Sequence, residues 1–172
     1  MLIQDIFVGG VTEKIKTKLG WDNLLFHCST YDEFINVVLK KIGDGEKYPF
    51  IFIPSGDNVS YQPSKNNPQE MFVKIDKIFL CTLSDKNLLA DERDEISFRK
   101  ILFPLKEILT SELLGSLGVS SDQVAFAYKQ HHSYGINSET FEDLLDVIIV
   151  ESVDFKLPIK KIKIINGEVI YC

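Results

Sequence analysis

Cysteine is scarce in this chain and poorly placed for cross-linking. Cys28, Cys81 and Cys172 are odd in number, far apart, and none belongs to a C-x-x-C pair. Neither a disulfide scaffold nor a zinc knuckle is indicated, and a reducing compartment is expected. Histidine is as rare: His27, His131 and His132 bound any imidazole chemistry. No window approaches the ~20 apolar residues that cross a bilayer, so no membrane partner is expected. Gln4 and Asp5 break up the opening residues before they resemble a secretory leader, which points to the cytoplasm. Gly9-Gly10 and Gly43-Asp44-Gly45 match neither phosphate-cradling glycine pattern. Positive charge is short as well, 19 Lys and Arg against 25 Asp and Glu, a net −6 that suits poorly the gripping of a phosphate backbone. The one concentrated basic stretch is Lys156, Lys160, Lys161 and Lys163.

What remains is an ordinary globular balance, 45% apolar and 26% charged over 172 residues, which fits a single domain spanning 1–172. A chain of this length buries roughly two thirds of its unfolded surface. Twelve Phe and six Tyr against one Trp predict a core padded with aromatic rings.

Apolar spacing sets the element order. Leu2, Ile3, Ile6, Phe7, Val11, Ile15 and Leu19 predict a helix over 2–19, bent or restarted near Gly9-Gly10 and capped by Gly20. Residues 21–26 read as a loop with a short extended piece. Thr30 and Glu33 have capping-box spacing ahead of a helix whose stripe is Tyr31, Phe34, Ile35, Val38 and Ile42, ended by Gly43-Asp44-Gly45. The apolar run 48–54 reads as a central strand and 71–83 as a long one buried throughout on one face. Between them, residues 55–69 read as a loop of unusual length. A helix follows over 91–114, acidic in its first turns, with Phe98, Leu102, Leu105 and Leu109 inward and a kink or restart at Pro104. Residues 123–128 and 146–155 read as strands joined through a loop carrying His131, His132 and Gly135. Asn166-Gly167 between two β-formers predicts a terminal hairpin. The expected fold is α+β: a mixed or antiparallel sheet of four to five strands against a long central helix and N-terminal helices.

Chemistry-bearing constellations are thin. His131 and His132 are adjacent and have no third metal ligand beside them unless Asp143 or Asp146 folds back. His27 and Cys28 diverge in an extended segment. Asp91 and Glu95 share a helix face, which a solvated helix start explains, or an intersubunit salt bridge involving Arg93 or Arg99. Ser55 lacks a G-x-S-x-G context. No catalytic residue, metal ligand or cofactor-binding residue is assigned. Two alternatives stay open: a small hydrolase or metal-dependent enzyme using His131 or His132 with Asp143, and a non-viral adaptor domain.

Tyr31-Asp32-Glu33-Phe34-Ile35, then Lys47-Tyr48-Pro49-Phe50-Ile51-Phe52-Ile53, then Val73-Lys74-Ile75 through Asp91-Glu92-Arg93 to Leu102-Phe103-Pro104-Leu105 form an ordered pattern. Over about residues 20–115 it resembles the phage tail-completion proteins, specifically the tail-terminator group of neck proteins. The resemblance implies a non-catalytic subunit without cofactors that forms a homo-oligomeric ring. The ring caps the tail tube protein on one face and meets the head–tail connector protein on the other, and genomic DNA passes through its lumen without sequence recognition. Such a subunit is assembled in the host cytoplasm and carried in the virion at the tail end. On that reading Tyr61 anchors the 55–70 loop on a neighbour. Asp91, Arg93 and Glu95 form a contact surface for Lys160 or Lys161 of an adjacent subunit.

Overall fold

A computed structural model describes residues 2–34, 49–67, 69–83, 87–115, 125–134, 145–158, 162–165 and 168–171. The predicted first helix runs as α1 (Leu2–Ile6), a π-helical turn (Phe7–Val11) and α2 (Thr12–Leu19). The weak point at Gly9-Gly10 is absorbed as a wider turn, the Thr12 N–H donating to the Phe7 carbonyl five residues back. Gly20 ends the helix with φ 68°, the left-handed cap its position predicts.

Strand β1 (Leu25–Ser29) leads to α3 (Tyr31–Glu33), where the Thr30 hydroxyl accepts from the Glu33 N–H at 3.2 Å. The continuation of that helix toward Ile42, with Val38 and its glycine stop, lies outside the described residues. β2 (Phe50–Pro54) is buried at every position, as its unbroken apolar run requires, and lies between parallel β1 and antiparallel β4 (Glu70–Leu83). β4 pairs along nearly its whole length with β6 (Leu145–Pro158), and β6 with the edge strand β5 (Ala127–Tyr134). The sheet is mixed, as expected, and has six strands rather than four or five.

The extra strand corrects the expected 55–69 loop. β3 (Val59–Pro63) pairs antiparallel with β4 from Ile75 to Met71, occupying the edge of β4 beyond the end of β2. Its Ser, Gln and Pro read as loop, yet a short edge strand tolerates them. A second correction concerns β5. The strand expected over 123–128 is centred further on and includes His131 and His132, because its partner is the buried β6, against which polar residues on an edge strand need satisfy only the ladder.

Two apolar layers sandwich the sheet. Ile148 and Val150 of β6 and Ile78 and Leu80 of β4 face the helices, against Ile3, Phe7, Ile15, Phe98, Leu102, Leu105 and Leu109. Phe79, Cys81, Leu145, Val147 and Ile149 face the other way, with Phe34, Phe50 and Phe52. Further along, Val73 and Ile75 and, opposite them, Val153 and Phe155 are on the helix side. Both strands therefore change parity together between Ile75 and Ile78, at Asp76 and Ser152, and Ser152 has φ 55°. Asn58 repairs the junction. Its carboxamide accepts from the Lys77 N–H at 2.9 Å and donates to the Lys77 carbonyl at 3.0 Å, while its own carbonyl accepts from the Asp76 N–H at 2.9 Å.

The long helix comprises α4 (Ala90–Arg93), a π-helical stretch (Asp94–Leu102) and α5 (Phe103–Gly115). The interruption expected at Pro104 is taken up by this widening, the Phe103 N–H donating to Phe98, and the helix continues beyond it. Lys14 and Lys18 of α2 converge on Glu112 of α5, itself 5% exposed at the side chain, and tie the two helices. β7 (Ile162–Ile165) and β8 (Glu168–Tyr171) form the predicted antiparallel hairpin, with β8 against α1.

Two substitutions test this packing. Leu102→Ala empties a fully buried site and is expected to cost about 2–5 kcal/mol in denaturant unfolding. Asn58→Ala is expected to cost about 0.5–1.5 kcal/mol, since it removes two hydrogen bonds to Lys77 that water only partly replaces; an unchanged midpoint in either case contradicts the assignment.

Candidate functional site

The first turns of the long helix have two faces with different chemistry. Outward, Asp91, Glu92 and Glu95 are exposed, Leu89 is 69% exposed and Ile96 43%. The Glu92 carboxylate accepts from the Leu89 N–H at 2.8 Å, so one acid of the run caps its own helix. Glu95 pairs with Arg99 at 3.2 Å one turn on, an exposed pair of small energetic weight. Arg93 is half-buried.

Inward, Asp94 joins the helix to β5. Its Oδ1 accepts from Gln130 Nε2 at 3.0 Å and lies 3.2 Å from His132 Nε2. The other imidazole nitrogen, Nδ1, lies 3.9 Å from Oδ1 of Asp146, a carboxylate that is fully buried on β6. The Phe98 ring meets the imidazole edge-on at 4.8 Å. Alternation on β5 explains the convergence: Tyr128, Gln130 and His132 share the helix-facing side, where Tyr128 also meets Phe103 and the Lys106 ammonium, 4.1 Å from the ring centroid. A buried carboxylate needs partners to offset its lost hydration, and His132 is one of them. Both nitrogens of His132 thus face carboxylates of the same chain. The ring couples helix to sheet.

The remaining candidates are dispersed. Among the described residues no group of three or more His, Cys, Asp or Glu side chains is arranged to hold a metal ion, and Asp143, Lys160 and Lys161 lie outside those residues. Tyr61 stands on β3 opposite Val73, and its hydroxyl hydrogen-bonds to the Ile3 main chain. Burial pushes its pKa up to about 12. The His132 contact lies instead level with Cys81, through Val147. Eight residues of β4 at ~3.3 Å each put roughly 25 Å between Tyr61 and the helix start. The structure brings Asp91, Arg93 and Glu95 together and leaves Tyr61 apart from them. Cys28 and Cys81 lie on opposite faces, and burial pushes both thiols up, as befits packing groups.

Sequence reading missed Asp94, Gln130 and Asn58, whose roles depend on strand pairing. Asp146 carried a signal, a carboxylate opening an apolar run, but its partner was legible only once His132 was placed in a strand. The chain matches no protein-family model, no curated protein and no solved structure.

The geometry predicts unequal effects at this junction. Asp94→Ala removes an exposed pair and is expected to cost about 0–1 kcal/mol. His132→Ala also deprives buried Asp146 of a neighbour and is expected to cost about 1–3 kcal/mol. Urea unfolding of the two variants checks the ranking, and equal losses contradict it.

Proposed function

We propose that the chain is a structural subunit of a phage neck, a tail-completion protein of the tail-terminator kind that caps the tail tube as a homo-oligomeric ring and joins it to the head connector. One observation carries this reading. The β3–β4–β6 half of the sheet is packed on its helix side through Val59, Met71, Val73, Ile75, Val153 and Phe155. On its other face Phe72 is 39% exposed, with Lys74 and Asp154 exposed beside it. A partly exposed aromatic ring flanked by charged residues suits a contact surface better than a catalytic cleft.

The element order supports the same reading in its N-terminal helices, capped helix after β1, apolar central strand, long strand and long helix, while the long loop that the resemblance implies after the first strand is taken up by β3. The alternative of a hydrolytic or metal-dependent enzyme rested on His131 or His132 with Asp143. It draws no support from His132, whose two nitrogens face Asp94 and Asp146. Acidic Asp91 and Glu95 remain the candidate contact for a basic neighbouring surface, and the net charge of −6 fits a conduit that does not hold passing DNA.

Electron microscopy of the protein mixed with its tail tubes tests the proposal. Rings at tube ends are expected, and their absence contradicts the reading. Phe72→Ser is expected to cost about 1 kcal/mol, as at a half-buried strand position, while reducing the fraction of capped ends.

A further inference from the structure

β1 carries a histidine that neither the helix–sheet junction nor the assembly reading employs. His27 is the register partner of Phe52 and lies on the aromatic face, its ring 5.4 Å from that of Phe34. Phe34 stacks on Phe52 at 4.2 Å and tilts against Phe50 at 5.1 Å, while Tyr31 meets Phe52 and Phe79 edge-on. α3 thus closes over the sheet through two rings, with the imidazole beside them. His27 Nε2 is buried and has no hydrogen-bond partner among the described residues. Among the described residues, the groups around it are otherwise uncharged or turned away. Asp32 and Glu33 of α3 are exposed, β2 contributes Phe50 and Phe52, β4 contributes Phe79 and the Cys81 thiol, and Cys28 packs on the opposite face.

We propose that His27 is an acid-sensitive latch: protonation seats an unpaired charge among Phe34, Phe50 and Phe52 and drives Thr30–Phe34 off the aromatic face of the sheet. An imidazole is the one common side chain that gains charge in mildly acidic water, and for the half-buried His27 ring the weak attraction of neighbouring aromatic faces replaces only part of the hydration that a charge loses there. Burial holds the His27 pKa below the ordinary histidine value, which lies near ~6.5. The closed form therefore takes up the proton less readily than the opened one. Closure is at full strength above the ordinary value and weakens as the pH falls from there toward the folded-state value. Up to one proton is taken up on opening, so the opened fraction rises by at most about tenfold per pH unit inside that window.

Cys81 lies under α3 in the same aromatic cluster, and Cys28 lies on the other face, so the chain carries both a reporter and a control. The experiment follows labelling of each by a pyridyl disulfide, which stays reactive toward thiols in acid, in a Cys172→Ser background. Rates are corrected for a free thiol at each pH. Labelling of Cys81 is expected to rise as the pH falls from about 6.5 to about 5.5, by at most about fivefold, with Cys28 nearly unchanged and the rise abolished in His27→Phe. His27→Gln, which keeps a polar group but takes no proton, serves if the phenylalanine variant does not fold. A flat wild-type profile overturns the proposal. So does an equal rise at Cys28, which marks whole-chain unfolding, or an unaltered rise in the non-titrating variant.

Discussion

Pairing of β4 with β6 holds the two apolar layers of this molecule in place, because each strand buries side chains on both of its faces at the centre of the sheet. A strand covered on both sides has no face to give up, and slipping by one residue would exchange the two layers wholesale. That makes the register strongly specified. The helices pack on one layer through Phe98, Leu102 and Leu105, and α3 closes the other through Phe34. The switch at Asp76 and Ser152 then turns the outer half of both strands in concert. One face stays dry beneath the N-terminal helices, and the other is released to water. Asn58 makes this possible by supplying from a turn the hydrogen bonds that the ladder gives up.

Elements with a single strong period were legible from the residues. Helix 91–114 and the Gly20 cap follow from local spacing and backbone chemistry, which tertiary contacts reinforce; the strand from Met71 was legible as a strand, but the single face it was expected to bury throughout changes sides between Ile75 and Ile78. β3 and the true extent of β5 were not legible. Their polar residues carry no period, and their strand character comes from the partner alone: β4 offers an unoccupied edge beyond β2, and β6 offers one along its other side. Pro104 shows the same limit from the other direction. Its local chemistry foretells a disturbance, but the helix widens ahead of it instead of breaking, with Phe98 and Leu102 of the π-helical stretch both buried in the core.

The candidate site divides in the same way. The acidic residues Asp91, Glu92 and Glu95 were visible as a run, yet the one residue of it that reaches into the fold, Asp94, was indistinguishable from its neighbours. Its role follows from the helical phase that turns it toward Gln130 and His132. What this places at the helix start is a charged outer face backed by a fixed inner one, and along β3–β4–β6 a sheet face left open. Both are surfaces, not clefts, and the functional reading rests on that distinction.

Amide hydrogen exchange through the parity switch tests the central claim, that Asn58 keeps the β4 backbone hydrogen-bonded where both central strands change face. The account predicts slow exchange at Ile75, Asp76, Lys77 and Ile78 without interruption, since the Asp76 and Lys77 N–H groups are both held by Asn58. Rapid exchange at Asp76 and Lys77 between protected neighbours would contradict it, and would make the outer half a separate hairpin hinged on the core.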